Sequence, residues 1–234
     1  MHVLGPGISP LCRSRPWSIC CWSIVLVGVQ LSLAWGEQGS ATTPRPPVSG
    51  DIHPGASHVF IHVGKTGLGH EHAVIGQLQY GQLQLSQPNG AGVLVFDMTS
   101  FQADTDDARR YLGFDGQTDA STQEQVNANM LGESVLDVKR YPTATFKVAT
   151  IQQLPKRDEK GRVQYSLKGD FTLHGVTKPI EVVANMEPKD KWFHVRGSFA
   201  CLQSDYGITP FSKGFGVIGV ADKLTIYADF WVVP

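Results

Sequence analysis

Alternation of apolar and polar residues is the feature of this sequence that most limits its fold. In the segment 193–201, every second residue is apolar or glycine, and His194 and Arg196 stand between them. Successive side chains of a β-strand point to opposite faces, so a period of two indicates a strand with one buried face. The same period recurs in the segments 167–173 and 224–232.

Shorter apolar stretches predict further strands, which brings the total to about eight. With 25 glycines and 14 prolines, the chain carries more helix-breaking residues than a helical bundle tolerates. Few helices separate the strands, so most neighbouring strands should pair antiparallel, and the sheet must close on itself or meet a second sheet to cover its apolar face. The additional strands are predicted at 59–63, 73–85, 92–98, 144–154 and 179–186.

The segment 99–141 interrupts this pattern and predicts two short helices in one long insertion. Asp104 is predicted to cap the first helix. Ser121 and Glu124 form the S-x-x-E pattern of a capping box for the second helix, which should stop near Gly132. In a barrel, such an insertion would be most useful over an open end.

The N-terminal segment predicts export of the rest of the chain. Arg13 and Arg15 precede an apolar stretch at 19–35, which is the layout of a signal peptide. Ala34 and Gly36 are small residues at positions −3 and −1 relative to a cut after Gly36, and they favour cleavage there. Residues 1–36 are therefore predicted as a signal peptide, with an uncleaved membrane anchor as the alternative. Either way the remainder is expected in the periplasm or outside the cell.

Two further regions follow the predicted signal peptide. The segment 37–55 is rich in Pro, Ser and Thr and predicts a linker, and 56–234 predicts one globular domain. Three of the four cysteines fall within the signal peptide, so the exported chain would keep Cys201 alone. The mature protein is therefore expected to form no internal disulfide.

Four segments of the domain, in this order, resemble the YceI-like family of exported lipid-binding or polyisoprenoid-binding proteins. The resemblance covers 59–233, and its most specific part is FTLHGVTKP at 171–179. It implies an all-β fold, an antiparallel eight-stranded lipocalin-like barrel with a long apolar cavity. The segments are GLGHEHAVIG (67–76), VLDVKRYPTATF (135–146), GDFTLHGVTKPIEV (169–182) and QSDYGITPF (203–211).

The GHEH sequence is similar to one branch of the family, which carries a G-H-[DN]-H motif. Glu71 stands where that motif has Asp or Asn, and Gly64 and Lys65 stand where other members carry an Arg-His or Lys-His pair. The resemblance implies an apolar ligand such as an isoprenoid, a quinone or a similar amphiphile, which the protein would carry or sequester.

The alternating apolar residues provide candidates for the cavity wall. Each buried methylene contributes about 0.8 kcal/mol to binding, so an apolar enclosure needs no catalytic group to hold a lipid chain. The alternative is that these side chains simply fill a closed core, because an eight-stranded barrel is found in both forms. The candidates are Phe146, Phe171, Leu173, Phe199, Ile226, Ala228 and Phe230.

His70 and His72 are candidates for a polar site at the cavity mouth. In an extended segment, residues two apart point the same way, so the two imidazoles could hold a ligand headgroup or share a metal ion. Spacing identifies no third metal ligand, so the sequence assigns no metal site. An exported metal-binding or hydrolytic barrel that uses His70 and His72 is the alternative function.

Other function classes find little support in the sequence. The formal net charge is −1, which provides no cationic field for nucleic acid. No G-x-S-x-G, P-loop or H-E-x-x-H motif is present, so no catalytic residue and no cofactor are predicted, and the protein is not expected to be an enzyme. The predicted partner is an amphiphilic lipid, while transient membrane contact and the oligomeric state stay open.

Overall fold

The barrel is built from long antiparallel strands. The computed structural model describes residues 46–84 and 91–234, and within them the chain forms nine strands and two α-helices. The strands are β1 (His58–Gly67), β2 (His72–Leu83), β3 (Gly92–Ala103), β4 (Thr143–Gln153), β5 (Gln164–Leu173), β6 (Val176–Lys189), β7 (Trp192–Leu202), β8 (Ser212–Lys213) and β9 (Ile218–Val232), and the helices are α1 (Asp106–Leu112) and α2 (Ala120–Leu131).

Eight of these strands close into one barrel. Strands β1 to β7 pair in sequence order, β9 follows β7, and β9 also pairs with β1. Ile226 of β9 lies opposite Phe199 of β7 on one side and Ile61 of β1 on the other. The two-residue β8 adds only a short ladder to the start of β9. The predicted eight-stranded antiparallel barrel is confirmed, and closure leaves it without the unpaired edges of an open sheet.

Helix α1 packs against the outer surface of the barrel, not over its open end. Tyr111 stacks on Phe60 of β1 with ring centroids 3.7 Å apart, and Ala108 is fully buried against this face. The N-cap is Thr105, whose side chain accepts from the backbone N–H of Ala108. The prediction that Asp104 caps this helix was therefore wrong, because its carboxylate is engaged elsewhere.

Helix α2 lies at the end of the barrel where β3 stops, which we call the helical end. Gln123 donates to the carbonyl of Ala103, the last residue of β3, and thereby holds the helix there. The N-cap is Asp119, not the predicted Ser121, whose hydroxyl instead donates to the Asp119 carboxylate. The helix stops before Gly132, as predicted. Within the described residues, no helix is long and apolar enough to span a lipid bilayer.

The chain begins to pack on the barrel before residue 56. Ile52 is 5% exposed, and its backbone N–H donates to the carbonyl of Gly81 at 2.9 Å. Gly81 provides room for this side chain, since a Cβ there would lie 2.9 Å from Ile52 Cδ1. The predicted linker at 37–55 therefore extends too far toward the barrel. The predicted signal peptide and residues 37–45 lie outside the described residues.

We expect Ile52→Ala to lower the free energy of unfolding by about 2–4 kcal/mol, because it leaves a cavity against the barrel. Val48→Ala is the matched control, since Val48 is 41% exposed and its truncation removes little buried surface. Urea denaturation of both variants measures the difference. Equal stability of the two variants would show that the segment before residue 56 contributes nothing to the fold.

Candidate functional site

The interior of the barrel contains an apolar cavity of about 200 Å³. All eight barrel strands contribute side chains to its wall, and α2 contributes Val126 and Met130. The barrel is therefore hollow rather than filled. The seven apolar residues predicted from the alternation all lie on this wall, namely Phe146, Phe171, Leu173, Phe199, Ile226, Ala228 and Phe230. Their contact with a ligand stays a prediction.

Small residues help to keep the interior open. Ala228 of β9 lies between Val59 of β1 and Gly197 of β7, so two of these three neighbouring positions carry a methyl group or no side chain at all. On the wall, the ring of Phe171 meets that of Phe199 edge to face at 5.4 Å. The wall therefore combines large rings in contact with one another and small residues that leave space beside them.

Among the described residues, the polar side chains that line this cavity lie at one end. Of the residues in 46–84 and 91–234 that line it, only His72, Asn129 and Gln203 carry polar side chains. His72 begins β2, Asn129 belongs to α2, and Gln203 follows β7, so all three lie at the helical end. The cavity is apolar along most of its length and polar at this end, which is the distribution that matches an amphiphile.

A buried carboxylate holds the imidazole of His72. Asp104 Oδ2 lies 2.7 Å from His72 Nδ1, and Asp104 Oδ1 accepts from the backbone N–H of Ala73 at 3.0 Å. The guanidinium of Arg109 lies 3.6 Å from the same Oδ1, and the Asp104 side chain is fully buried. Asp104 has φ 56°, a left-handed conformation that Asp adopts more readily than most residues, and this turn directs the carboxylate toward β2.

The environment of Asp104 favours its ionised form. Burial alone raises the pKa of this carboxyl, but the hydrogen bonds with His72 and with the backbone N–H of Ala73 outweigh burial. The pKa of Asp104 therefore lies below its ordinary value. His72 is thus held beside a buried negative charge.

His70 lies at the rim, next to His72. Their ring centroids are 4.5 Å apart, and His70 is exposed. The preceding turn depends on glycine, because Gly67 has φ 56° and a Cβ on Gly69 would lie 2.5 Å from the carbonyl oxygen of Gly219. His70 and His72 therefore lie on the same side of the chain, as predicted from their spacing.

Glu71, between the two histidines, points elsewhere. Its carboxylate lies 3.4 Å from His62 Nε2, and its side chain is 47% exposed. The inward positions of β1 are Ile61 and Val63, which places His62 on the outer face of the barrel. Glu71 therefore takes no part in the pair formed by His70 and His72.

Sequence reasoning missed Asp104, Asn129 and Gln203 as residues of this site. Asp104 was interpreted as a helix cap because Asp is a common N-cap, and its neighbour Thr105 takes that role instead. Antiparallel pairing of β2 with β3 is the only signal that could have placed Asp104 near His72. The register of that pair shifts twice, after Ile75 and after Leu78. Counting residues back from the connection between β2 and β3 therefore does not place Asp104 opposite Ala73.

The fold and the cavity define a hollow antiparallel β-barrel with one polar end. The sequence of residues 51–231 matches the family model of the YceI-like domain. The chain therefore belongs to this family.

Two solved structures share the fold at low sequence identity. BcnA of Burkholderia cenocepacia is 17% identical with a TM-score of 0.54, and the match covers 78% of this chain and 100% of that one. A polyisoprenoid-binding domain from Saccharophagus degradans, implicated in plant cell wall breakdown, is 13% identical with a TM-score of 0.54, and the match covers 80% and 99%.

Curated relatives match over shorter stretches. A UPF0312 protein of Vibrio cholerae is 40% identical over 67 residues, which is 28% of this chain and 32% of the relative. A UPF0312 protein of Pseudomonas putida W619 is 33% identical over 94 residues, which is 38% of this chain and 46% of the relative. These matches thus span less than half the length of either relative.

We expect Asp104→Asn to destabilise the protein at pH 7 by about 1–3 kcal/mol, because it removes a buried charge-assisted hydrogen bond. Asn tolerates the same left-handed backbone conformation. The folded-state pKa of Asp104 is lowered, so its contribution is present above the unfolded-state pKa and is lost as the pH falls through the folded-state pKa. The difference from wild type should therefore vanish in acid.

Thermal or urea unfolding of both proteins across pH measures this effect. Asp107→Asn is the control, because Asp107 pairs with Arg110 on the surface, where both side chains are more than 70% exposed. A stability difference for Asp104→Asn that does not change with pH would contradict the prediction.

Proposed function

We propose that this protein binds an amphiphile with a long apolar chain, such as an isoprenoid, a quinone or a similar lipid, and carries or sequesters it. The observation that carries this proposal is the apolar cavity of about 200 Å³, whose polar side chains, among the described residues, lie at the helical end. The apolar chain would lie along the barrel and the headgroup at the helical end. The polyisoprenoid-binding domain that shares the fold is consistent with such a ligand.

The free energy of binding would come from the apolar wall. Each methylene transferred from water contributes about 0.8 kcal/mol, so about ten buried carbons contribute roughly 8 kcal/mol before ordering costs are subtracted. This is sufficient for binding without a charged anchor. We therefore assign no catalytic step, no catalytic residue and no cofactor, and regard the protein as a binding protein.

His72 and His70 would contact the headgroup. The carboxylate of Asp104 engages Nδ1 of His72, which leaves Nε2 as the ring nitrogen for a ligand. In the tautomer with the proton on Nδ1, Nε2 accepts a hydrogen bond from a hydroxyl group. This arrangement supports a headgroup that donates, such as an alcohol or a quinol. The exposed His70 lies beside it and would contact the same headgroup from the rim.

We also propose that the protein is exported, to the periplasm or out of the cell. The two arginines, the apolar stretch at 19–35 and the small residues before the predicted cut after Gly36 support this. An exported carrier would meet its ligand at a membrane, so brief contact with a lipid surface is part of the proposal.

Four exposed apolar residues support membrane contact at the helical end. We call Leu68, Phe215, Val217 and Ile218 the apolar tip, and their exposed fractions range from 45% for Ile218 to complete exposure for Phe215. Leu68 and Val217 are joined by a backbone hydrogen bond of 2.8 Å. Phe215 has φ 55°, an unusual conformation for an aromatic residue, and this turn displays its ring to solvent. The exposed Lys213 beside the tip would favour anionic lipids.

The cavity proposal predicts that Ala228→Phe weakens ligand binding by at least about tenfold while the fold persists, because the new ring occupies space that the chain needs. Ala200→Phe is the matched control. Ala200 belongs to β7 and is exposed, and it follows Phe199, whose side chain lines the cavity, so the new ring would lie on the outer face of the barrel. Binding of a fluorescent polyprenyl analogue and thermal melting are measured on all three proteins.

Two outcomes would reject the cavity proposal. One is that the wild-type protein binds no polyprenyl analogue. The other is that Ala228→Phe binds as well as wild type but is less stable by about 1–3 kcal/mol, which is the result expected from overpacking a filled core.

The membrane proposal predicts that the double variant Leu68→Ser and Phe215→Ser binds lipid vesicles less than wild type, because it removes the two most exposed apolar side chains of the apolar tip. Sedimentation with vesicles of phosphatidylethanolamine and phosphatidylglycerol measures the bound fraction. The control variant, Tyr80→Ser with Val183→Ser, removes side chains that are 42% and 40% exposed elsewhere on the barrel. An equal loss in both double variants would contradict the proposal.

A further inference from the structure

Three side chains with metal-binding atoms meet at the helical end of the barrel. One donor atom each from His70, His72 and Asp104 lies within 4.8 Å of the other two. The carboxylate and the nearer imidazole are already 2.7 Å apart. They come from two separate parts of the chain, the start of β2 and the turn that follows β3, so the strand pairing brings them together.

We propose that His70, His72 and Asp104 bind one divalent transition-metal ion, for which zinc is the probe. Its three donors are side chains of the protein, so metal binding requires no lipid ligand. Zinc bonds to imidazole nitrogen and carboxylate oxygen are about 2.0–2.2 Å long, so the donors of a tetrahedral site lie about 3.4 Å apart. The donors of His70, His72 and Asp104 now lie within 4.8 Å of one another, so His70 has to approach by up to about 1.4 Å, which its exposed side chain can do by rotation. The 2.7 Å between Asp104 and His72 has to open by about 0.7 Å to admit the ion.

The donor set selects the class of metal. Two imidazoles and one carboxylate suit zinc and its first-row neighbours, whereas calcium and magnesium prefer oxygen donors alone. Three protein ligands leave at least one coordination position open. Because His72 also lines the cavity, the ion would lie at the polar end of that cavity.

The surroundings of Asp104 leave one of its oxygens for the metal. Oδ1 accepts from the backbone N–H of Ala73 and lies near Arg109, and these contacts hold the carboxylate in place. Oδ2 faces His72 Nδ1. On binding, the ion takes the place of the proton between these two atoms, and that proton is released to solvent. Outer contacts of this kind orient the ligands of metal sites in proteins.

A second His–Asp pair of the barrel provides an internal comparison. His194 Nε2 lies 2.7 Å from Asp229 Oδ1, and the exposed fraction of the His194 side chain is 12%, the same as that of His72. Its ring stacks on Trp231 at 4.3 Å. Among the described residues, no third metal-binding side chain joins this pair. It therefore reproduces the hydrogen bond of the proposed site but lacks the third ligand.

The test is a titration of the untagged full-length chain, stripped with a chelator and then dialysed, with zinc ions in an isothermal calorimeter. We expect one ion per chain and an increase in melting temperature with zinc, because a ligand of the native state stabilises that state. His70→Ala and Asp104→Asn should each weaken binding by at least about tenfold. His194→Ala should bind as wild type does. Cobalt as a second probe should give a visible absorption spectrum that His70→Ala loses.

His70→Ala keeps the test informative, because His70 is exposed and its loss leaves the barrel core intact. The proposal is overturned if the wild-type chain binds no zinc, or if binding persists in both His70→Ala and Asp104→Asn. It is also overturned if His62→Ala abolishes binding while His70→Ala does not, since the site would then be the outer pair of His62 and Glu71. None of these outcomes depends on whether a polyprenyl analogue binds.

Discussion

The pairing of β1 with β9 is the interaction on which the rest of the structure depends. It joins the first and last strands of the barrel in antiparallel register from His58 opposite Asp229 to Gly67 opposite Ile218, with one irregularity between Val63 and Lys65. Without this pairing, the sheet would have two edges and its apolar face would need another cover. With it, every inward side chain faces the other strands across one enclosed space. The cavity is therefore a consequence of closure.

The insertion between β3 and β4 makes the two ends of the barrel differ. Helix α2 lies across one end, and His72, Asn129 and Gln203 lie at the same end. The hydrogen bond between Asp104 and His72 orients an imidazole at this end of the apolar wall. A lipid headgroup and a metal ion would use the same pair of histidines, one through hydrogen bonds and the other through coordination. The shared geometry explains why both proposals lead to this end of the barrel.

Local sequence signals predicted the helices well and their caps poorly. Helix α2 stops before Gly132 as expected, and Gly132 has an extended backbone with φ −70°. A Cβ there would lie 2.8 Å from the carbonyl oxygen of Ala128, so glycine fits this close approach. The caps are Thr105 and Asp119 rather than Asp104 and Ser121. In both cases, adjacent residues have side chains able to cap. At α2 the choice is local, because Asp119 accepts from the backbone N–H of Thr122 and from the Ser121 hydroxyl, whereas at α1 tertiary contacts decide. The carboxylate of Asp104 contacts His72 and the backbone N–H of Ala73, so Thr105 caps the helix instead.

The sequence by itself determined the strands, their inward faces and the family, because a period of two and the FTLHGVTKP segment are local properties of the chain. Only the tertiary structure decided that Ile52 packs on the barrel, that α1 lies on its outer surface and that Asp104 meets His72. Residues 72 and 104 are joined by a strand pair whose register shifts twice. Such shifts follow from packing over the whole barrel, so no local pattern encodes which side chains they bring together.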